Sequence, residues 1–166
     1  MNEKKVGIVM GSDSDLPVVE KAVSTLKQLG ISCEVHVYSA HRTPREAEEF
    51  AREARERGFG AIIAAAGMAA HLAGVIAANT TLPVIGIPCK GPVLDGIDAL
   101  LSTVQMPSGI PVATVAVNGG VNAALLAAEI FAVYDEGIAE KLSALRAEAT
   151  ATVLEKNDRI SAELSC

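Results

Sequence analysis

The chain has 166 residues, of which half are apolar, only 3% are aromatic and none is tryptophan. This length suits one α/β domain with a core of Ala, Val, Ile and Leu. The net charge of −6 and the lack of a Lys- or Arg-rich run argue against a nucleic-acid partner. The short apolar run near the N-terminus does not fit a signal peptide, and no apolar stretch reaches about 18 residues. We therefore expect a cytoplasmic protein without a membrane span.

The three cysteines, Cys33, Cys89 and Cys166, are scattered along the chain. They form no CxxC motif and no His/Cys spacing typical of a metal site. Buried or idle thiols in a reducing compartment are the expected state. The sequence indicates neither a metal nor a cofactor.

Apolar runs alternate with helical patterns along most of the chain. The runs predict five strands, at 5–10, 32–38, 60–65, 82–88 and 110–117. Between and after them the pattern predicts helices at 15–30, 44–58, 71–79, 95–106 and 121–134. Alternating strands and helices favour a parallel sheet with right-handed crossovers. The expected fold is a three-layer αβα sandwich with the flavodoxin-like strand order 2-1-3-4-5.

One further helix is predicted after Tyr134, where the sheet is already covered. Apolar residues recur there mostly at helical spacing, from Ile138 to Leu164. We expect one catalytic αβα domain over 1–134 and a C-terminal helix over 135–166 that packs on a neighbouring subunit. The protein is accordingly predicted to be a homo-oligomer.

Small polar clusters follow the first three predicted strands directly. They are GSDSD at 11–15, SAHRTP at 39–44 and AGMAAH at 66–71. Ligands of parallel α/β sheets bind at the carboxyl ends of the strands. The candidate active site therefore combines Ser12, Ser14, Asp15, Ser39, His41, Arg42 and His71.

The first cluster offers hydroxyls, carboxylates and free backbone N–H groups at a helix start. Such N–H groups favour an anion such as phosphate, while Asp15 suits a ribose hydroxyl. The alternative is structural, because Ser and Asp are common N-caps and turn formers. Neither GxGxxG nor GxxxxGK[ST] occurs, so no dinucleotide or P-loop nucleotide is indicated.

The second and third clusters carry histidines. In SAHRTP, Arg42 is a forked partner for phosphate or carboxylate, and His41 beside it handles protons near neutral pH. A solvated surface turn is the alternative. His71 lies among small apolar residues, so a packed histidine and a catalytic one both stay open. His36 lies inside a predicted strand and is assigned no role.

Together with QMPSGIPVATVAV and NAALLAAEIF, these motifs resemble the catalytic subunit family of phosphoribosylaminoimidazole carboxylase, which acts in purine biosynthesis. The resemblance covers about residues 6–134 and implies an αβα fold and an octamer with C-terminal helices that reach neighbours. One branch of the family moves a carboxylate within 5-(carboxyamino)imidazole ribonucleotide. The other carboxylates aminoimidazole ribonucleotide directly. His-Arg in the second motif and His in the third are similar to the first branch, the mutases.

The resemblance also implies roles for the site residues. Ser12, Ser14 and Arg42 bind the phosphate of a ribonucleotide substrate, with Ser39 assisting. Asp15 accepts hydrogen bonds from ribose hydroxyls, and His41 is the general acid and base. His71 and Gly67 shape the site for the carboxylate and the ring.

Two positions depart from the family's third motif, GGAAHLPG. Met68 replaces the second Gly, and Ala73 replaces Pro. Met68 adds bulk where the backbone approaches the ligand. Three alternatives to the mutase stay open: the direct carboxylase, carboxylation of another heterocycle, and a non-catalytic nucleotide-binding module. The shortage of aromatic residues argues against a flavin protein.

Overall fold

The computed structural model describes residues 5–165. Within that part of the chain the strands are β1 Lys5–Met10, β2 Cys33–Val37, β3 Phe59–Gly67, β4 Val84–Cys89 and β5 Ala113–Thr114. The helices are α1 Leu16–Leu29, α2 Pro44–Glu53, α3 Leu72–Ala78, α4 Ile97–Val104, α5 Gly120–Ala132 and α6 Glu136–Leu164. A single turn of 3-10 helix, Asp13–Asp15, precedes α1.

The strands form one parallel sheet in the order β2-β1-β3-β4-β5. This is the predicted flavodoxin-like order, and helices cover both faces of the sheet. One apolar cluster joins the sheet to α1, α5 and the start of α6. A second joins it to α2 and α3 on the other face. The prediction of a three-layer αβα fold is confirmed.

Several predicted elements differ from the structure at their ends. Helix α2 stops at Glu53, and hydrogen-bonded turns carry the chain on to Gly58. Strand β5 has two residues rather than eight, although Val115 N–H still donates to Gly86 O of β4 at 3.1 Å. A tight turn from Ala116 to Gly119, with Asn118 at φ 58°, ends the extended backbone early.

Helix α5 lies very close to α1, and a glycine makes this approach possible. A Cβ atom added to Gly120 would lie 2.2 Å from Val18 O and 3.4 Å from Ala22 N. Four alanines of α5 are fully buried on the same side: Ala123, Ala124, Ala127 and Ala128. Small side chains therefore set the distance between the two helices.

The first turns of helix α6 pack against the αβα domain, and its later turns are exposed. Leu142 is buried in the first apolar cluster, and Lys141 Nζ donates to Leu29 O at 2.8 Å. Residues 146–165 are all exposed, including the apolar Val153, Leu154 and Ile160. The predicted contact of this helix with a neighbouring subunit stays a prediction. No helix among residues 5–165 combines the length and apolar character that a membrane span requires.

Candidate active site

A cavity of about 600 Å³ lies at the carboxyl ends of β1, β2, β3 and β4. The parallel sheet brings these four strand ends to one edge. The cavity wall contains all of the residues predicted from the sequence: Ser12, Ser14, Asp15, Ser39, His41, Arg42, Gly67 and His71. It also contains Lys90, Gly91 and Pro92 from the turn after β4, which the sequence analysis did not select.

The turn after β2 is organised by the Ser39 hydroxyl. Ser39 Oγ accepts hydrogen bonds from the His41 N–H at 3.4 Å, the Arg42 N–H at 3.2 Å and Arg42 Nε at 3.5 Å. The Ser39 N–H in turn donates to Thr43 Oγ1 at 2.8 Å. Such hydroxyl-to-backbone bonds fix short turns, so the orientation of His41 and Arg42 depends on one oxygen.

Arg42 connects the turn after β2 to the turn after β1. Its Nη2 donates to Gly11 O at 2.9 Å, while the side chain remains exposed at the cavity wall. A guanidinium has five N–H donors, and only part of this set is used by Gly11 and Ser39. The remaining donors are available to an anion.

The turn after β1 places a buried carboxyl at the cavity wall. Ser12 caps the 3-10 helix, with its Oγ accepting from the Ser14 N–H at 3.3 Å. Asp15 is only 7% exposed. Burial raises the pKa of the Asp15 carboxyl, and its hydrogen bond with the Cys89 thiol acts in the opposite direction.

Cys89 is the buried thiol beneath this carboxyl. Burial, together with the charge of Asp15, raises the pKa of the Cys89 thiol to about 12. The thiol is therefore neutral at physiological pH and is no nucleophile. Cys33 is half-buried, and Cys166 lies outside the described residues.

Two histidines meet at the mouth of the cavity. His41 Nε2 and His71 Nδ1 are 2.9 Å apart, and the ring planes are nearly perpendicular at 89°. Each neutral imidazole carries one N–H, so one ring donates and the other accepts. His71 is exposed rather than packed in the core, and its catalytic role stays a prediction. The pair can pass a proton between two elements that are 30 residues apart.

The turn after β3 holds Met68 in an unusual backbone conformation. Met68 has φ 54°, in the left-handed region that costs an L-residue about 1 kcal/mol. A glycine has no such cost. The departure from the family's glycine therefore places strain beside the cavity, and the Met68 side chain is 59% exposed at the wall. Gly67, just before it, pairs with Cys89 of β4.

Lys90 lies in the turn after β4. Its N–H donates to Asn118 Oδ1 at 2.8 Å, and its Nζ lies 3.0 Å from Asp95 Oδ1. The signal that marked the first three clusters was also present here, because the polar KGP segment follows the apolar strand LPVIGIP. The same signal therefore marks Lys90, whose segment reads as a structural loop from the sequence alone.

His36 lies outside the cavity wall. Its Nε2 lies 2.8 Å from Glu34 Oε1, in a cluster where Glu34 also pairs with Lys5 and Arg57. Hydrogen bonds from Lys5 and His36, with the charge of Arg57, lower the pKa of Glu34 to about 2. No group of three or more potential metal ligands occurs among residues 5–165.

The fold and the cavity are those of a flavodoxin-like α/β protein with an arginine and a histidine pair at the carboxyl ends of its strands. The model of the AIR carboxylase family matches residues 5–152. The chain belongs to this family, as the sequence motifs predicted.

Two relatives carry different names. The chain is 54% identical over 155 residues to the N5-carboxyaminoimidazole ribonucleotide mutase of Pyrococcus horikoshii, spanning 93% of this chain and 88% of the relative. It is 60% identical over 130 residues to the phosphoribosylaminoimidazole carboxylase of Candida albicans, spanning 78% of this chain and 23% of that protein. The crystal structure of Treponema denticola PurE has a TM-score of 0.83 at 32% identity, covering 98% of this chain and 99% of that one.

Proposed function

We propose that the protein is a mutase that converts N5-carboxyaminoimidazole ribonucleotide to 4-carboxy-5-aminoimidazole ribonucleotide. The observation that carries the proposal is the pair His41 and His71, 2.9 Å apart in one cavity with Arg42. By resemblance, this combination marks the mutase branch. The name of the Pyrococcus horikoshii relative, which aligns with 93% of this chain, supports the same function.

The phosphate of the substrate is proposed to bind between the turns after β1 and β2. Arg42 supplies fixed positive charge there, and its hydrogen bond to Gly11 O keeps it over the first turn. The hydroxyls of Ser12 and Ser14 line the same wall and supply further donors. Asp15 lies between these groups and the sheet, where its oxygens can accept from ribose hydroxyls.

The proposed reaction balances without a cofactor. The bond between the exocyclic nitrogen and the carboxylate carbon breaks, its electron pair goes to nitrogen, and carbon dioxide stays bound. The nitrogen takes one proton from the imidazolium of His41. Ring carbon 4 then forms a bond to carbon dioxide and loses its proton to the same histidine. No net proton is consumed, so one group acts as acid and then as base.

His71 gives His41 a place to pass its proton during this exchange. The 2.9 Å contact joins the two rings directly, so a proton on either ring is shared through one hydrogen bond. A cavity that excludes water would also keep carbon dioxide from escaping before carbon 4 attacks.

The second candidate is the direct carboxylase, favoured by the name of the Candida albicans relative. An absorbance assay without ATP separates the two. One reaction contains N5-carboxyaminoimidazole ribonucleotide without bicarbonate, and the other contains aminoimidazole ribonucleotide with modest bicarbonate. Fast product in the first alone is the result expected of the mutase. Fast product in the second alone would establish the carboxylase, and no product in either would leave a binding module or another heterocycle.

We further propose that the protein is a cytoplasmic homo-oligomer, an octamer by resemblance, in which α6 packs on a neighbouring subunit. Support comes from the exposed apolar residues of α6 and from Ile97, Leu101 and Val104 on α4, each about half exposed. Burying such side chains between copies is favourable. Light scattering tests this directly, because a stable monomer of 17.1 kDa would overturn it.

A further inference from the structure

The cavity has permanent positive charge at two places. Among the described residues of its wall, the lysines and arginines are Arg42 and Lys90. Arg42 follows β2 and Lys90 follows β4, and the strand order places β1 and β3 between them. Three strand spacings of about 4.8 Å separate the two strands by roughly 14 Å. The two residues therefore follow strands on opposite sides of the cavity.

The proposed substrate has anionic groups at two ends as well. Its phosphate lies at the 5′ end of the ribose, and its carboxylate is attached to the exocyclic nitrogen of the imidazole ring, so the ribose separates the two anionic groups. Arg42, with the serines of the first turn, accounts for the phosphate only. We propose that Lys90 binds the carboxylate through its ammonium group and distinguishes carboxylated from uncarboxylated nucleotides. This inference rests on the proposed function.

The surroundings of Lys90 place it beside the third motif. A Cβ atom added to Gly91 would lie 3.6 Å from Met68 Cγ, so the turn after β4 packs against the turn after β3. Gly67 also pairs with Cys89, the residue before Lys90. The turn that holds Gly67 and leads to His71 is thus the nearest neighbour of Lys90 within the cavity wall.

The backbone of Lys90 is held by close packing against Gly96 and a hydrogen bond, whereas its ammonium group makes one exposed ion pair. The N–H is held by Asn118 Oδ1 at 2.8 Å, and a Cβ on Gly96 would lie 3.2 Å from Lys90 Cα. The ammonium pairs with Asp95 at 3.0 Å, with side-chain exposures of 58% and 77%. Exposed ion pairs contribute little net stability. A substrate carboxylate can therefore replace the Asp95 carboxylate at small cost.

Two nucleotides that differ only in the carboxylate test the proposal. Calorimetry would measure the Kd of 4-carboxy-5-aminoimidazole ribonucleotide and of aminoimidazole ribonucleotide for the wild type, Lys90→Gln and Asp95→Asn. Lys21→Gln is the matched control, because Lys21 is exposed on α1 and outside the cavity wall. The wild type should prefer the carboxylated nucleotide.

We expect Lys90→Gln to raise the Kd of the carboxylated nucleotide about tenfold, as for loss of a charge-assisted hydrogen bond. The Kd of aminoimidazole ribonucleotide should stay within twofold of the wild-type value. Asp95→Asn should leave the preference intact or raise it, and Lys21→Gln should change neither Kd. The proposal would be overturned if Lys90→Gln raised the Kd of both nucleotides equally, or raised neither. Turnover by the wild type is measured separately, so a failed mutase assay with an intact binding preference would count against the proposed function alone.

Discussion

Replacing Ser39 with alanine removes the oxygen that accepts hydrogen bonds from three N–H groups of His41 and Arg42. Their lengths, 3.2 to 3.5 Å, place them at the weak end, where each contributes about 0.5 kcal/mol. In Ser39→Ala the turn must be reordered when substrate binds, at a cost of about 1.5 kcal/mol, which is roughly a tenfold fall in kcat/KM. The fall should exceed any change in stability, because the turn is partly exposed and its N–H groups can bond to water.

The assay is steady-state turnover of N5-carboxyaminoimidazole ribonucleotide by the wild type, Ser39→Ala and Ser143→Ala. Ser143 is the control, since its hydroxyl donates to Ala139 O within the same exposed helix and lies outside the cavity wall. A second comparison repeats Ser39→Ala in an Arg42→Ala background. If Ser39 acts by positioning Arg42, adding Ser39→Ala to the Arg42→Ala variant should lower kcat/KM by a further factor of about two or less. Activity of Ser39→Ala within twofold of the wild type would refute the reasoning.

Three further substitutions test the chemistry and the fold. His41→Asn should lower kcat at least about a hundredfold with substrate binding retained, and ordinary turnover would rule out its acid–base role. Gly120→Ala should lower the free energy of unfolding, measured in denaturant, by about 2 kcal/mol, because the new Cβ would lie 2.2 Å from Val18 O. Gly137→Ala is the control, because the atom nearest to its new Cβ is 3.4 Å away. It should leave the free energy of unfolding unchanged or raise it by up to about 1 kcal/mol. The pKa of Glu34 is lowered from 4.5 to about 2 in the folded state. The ionised Glu34 therefore contributes its full share to the free energy of unfolding above pH 4.5, and this contribution is lost as the pH falls towards 2. Glu34→Gln should therefore lower the free energy of unfolding by about 1–2 kcal/mol at pH 7, allowing for partial exposure, and the difference should vanish near pH 2.

The strands and the place of the site could be predicted because both depend on short-range signals, and the alternation of strands with helices indicated the flavodoxin-like order. Strands buried on both faces read as continuous apolar runs, and β1, β3 and β4 have this character. Each polar turn follows its strand directly, so the parallel topology alone brings Ser12, His41 and His71 to one edge. Spacing along the chain does not specify the contact between His41 and His71, which depends on how α2 and α3 begin.

Other features depend on packing and had no local signal. The burial of Asp15 arises because the 3-10 turn folds its carboxyl towards Cys89 of β4, 74 residues further along the chain by their numbering. The early end of β5 is set by the turn around Asn118. Val115 and Val117 favour a strand, so the tertiary turn overrides their propensity at this end of the run.

The order of charged and proton-handling groups follows the order of the strands, and this order has a consequence for the proposed reaction. Arg42 and His41 follow β2, Asp15 follows β1, His71 follows β3 and Lys90 follows β4. A nucleotide bound along this line has its phosphate near Arg42 and its ring near the histidines. Transfer of the carboxylate from the exocyclic nitrogen to the adjacent ring carbon moves that group by only a few bond lengths. The phosphate can therefore stay fixed while one flexible lysine follows the carboxylate from substrate to product, and the nucleotide need not turn over within the cavity.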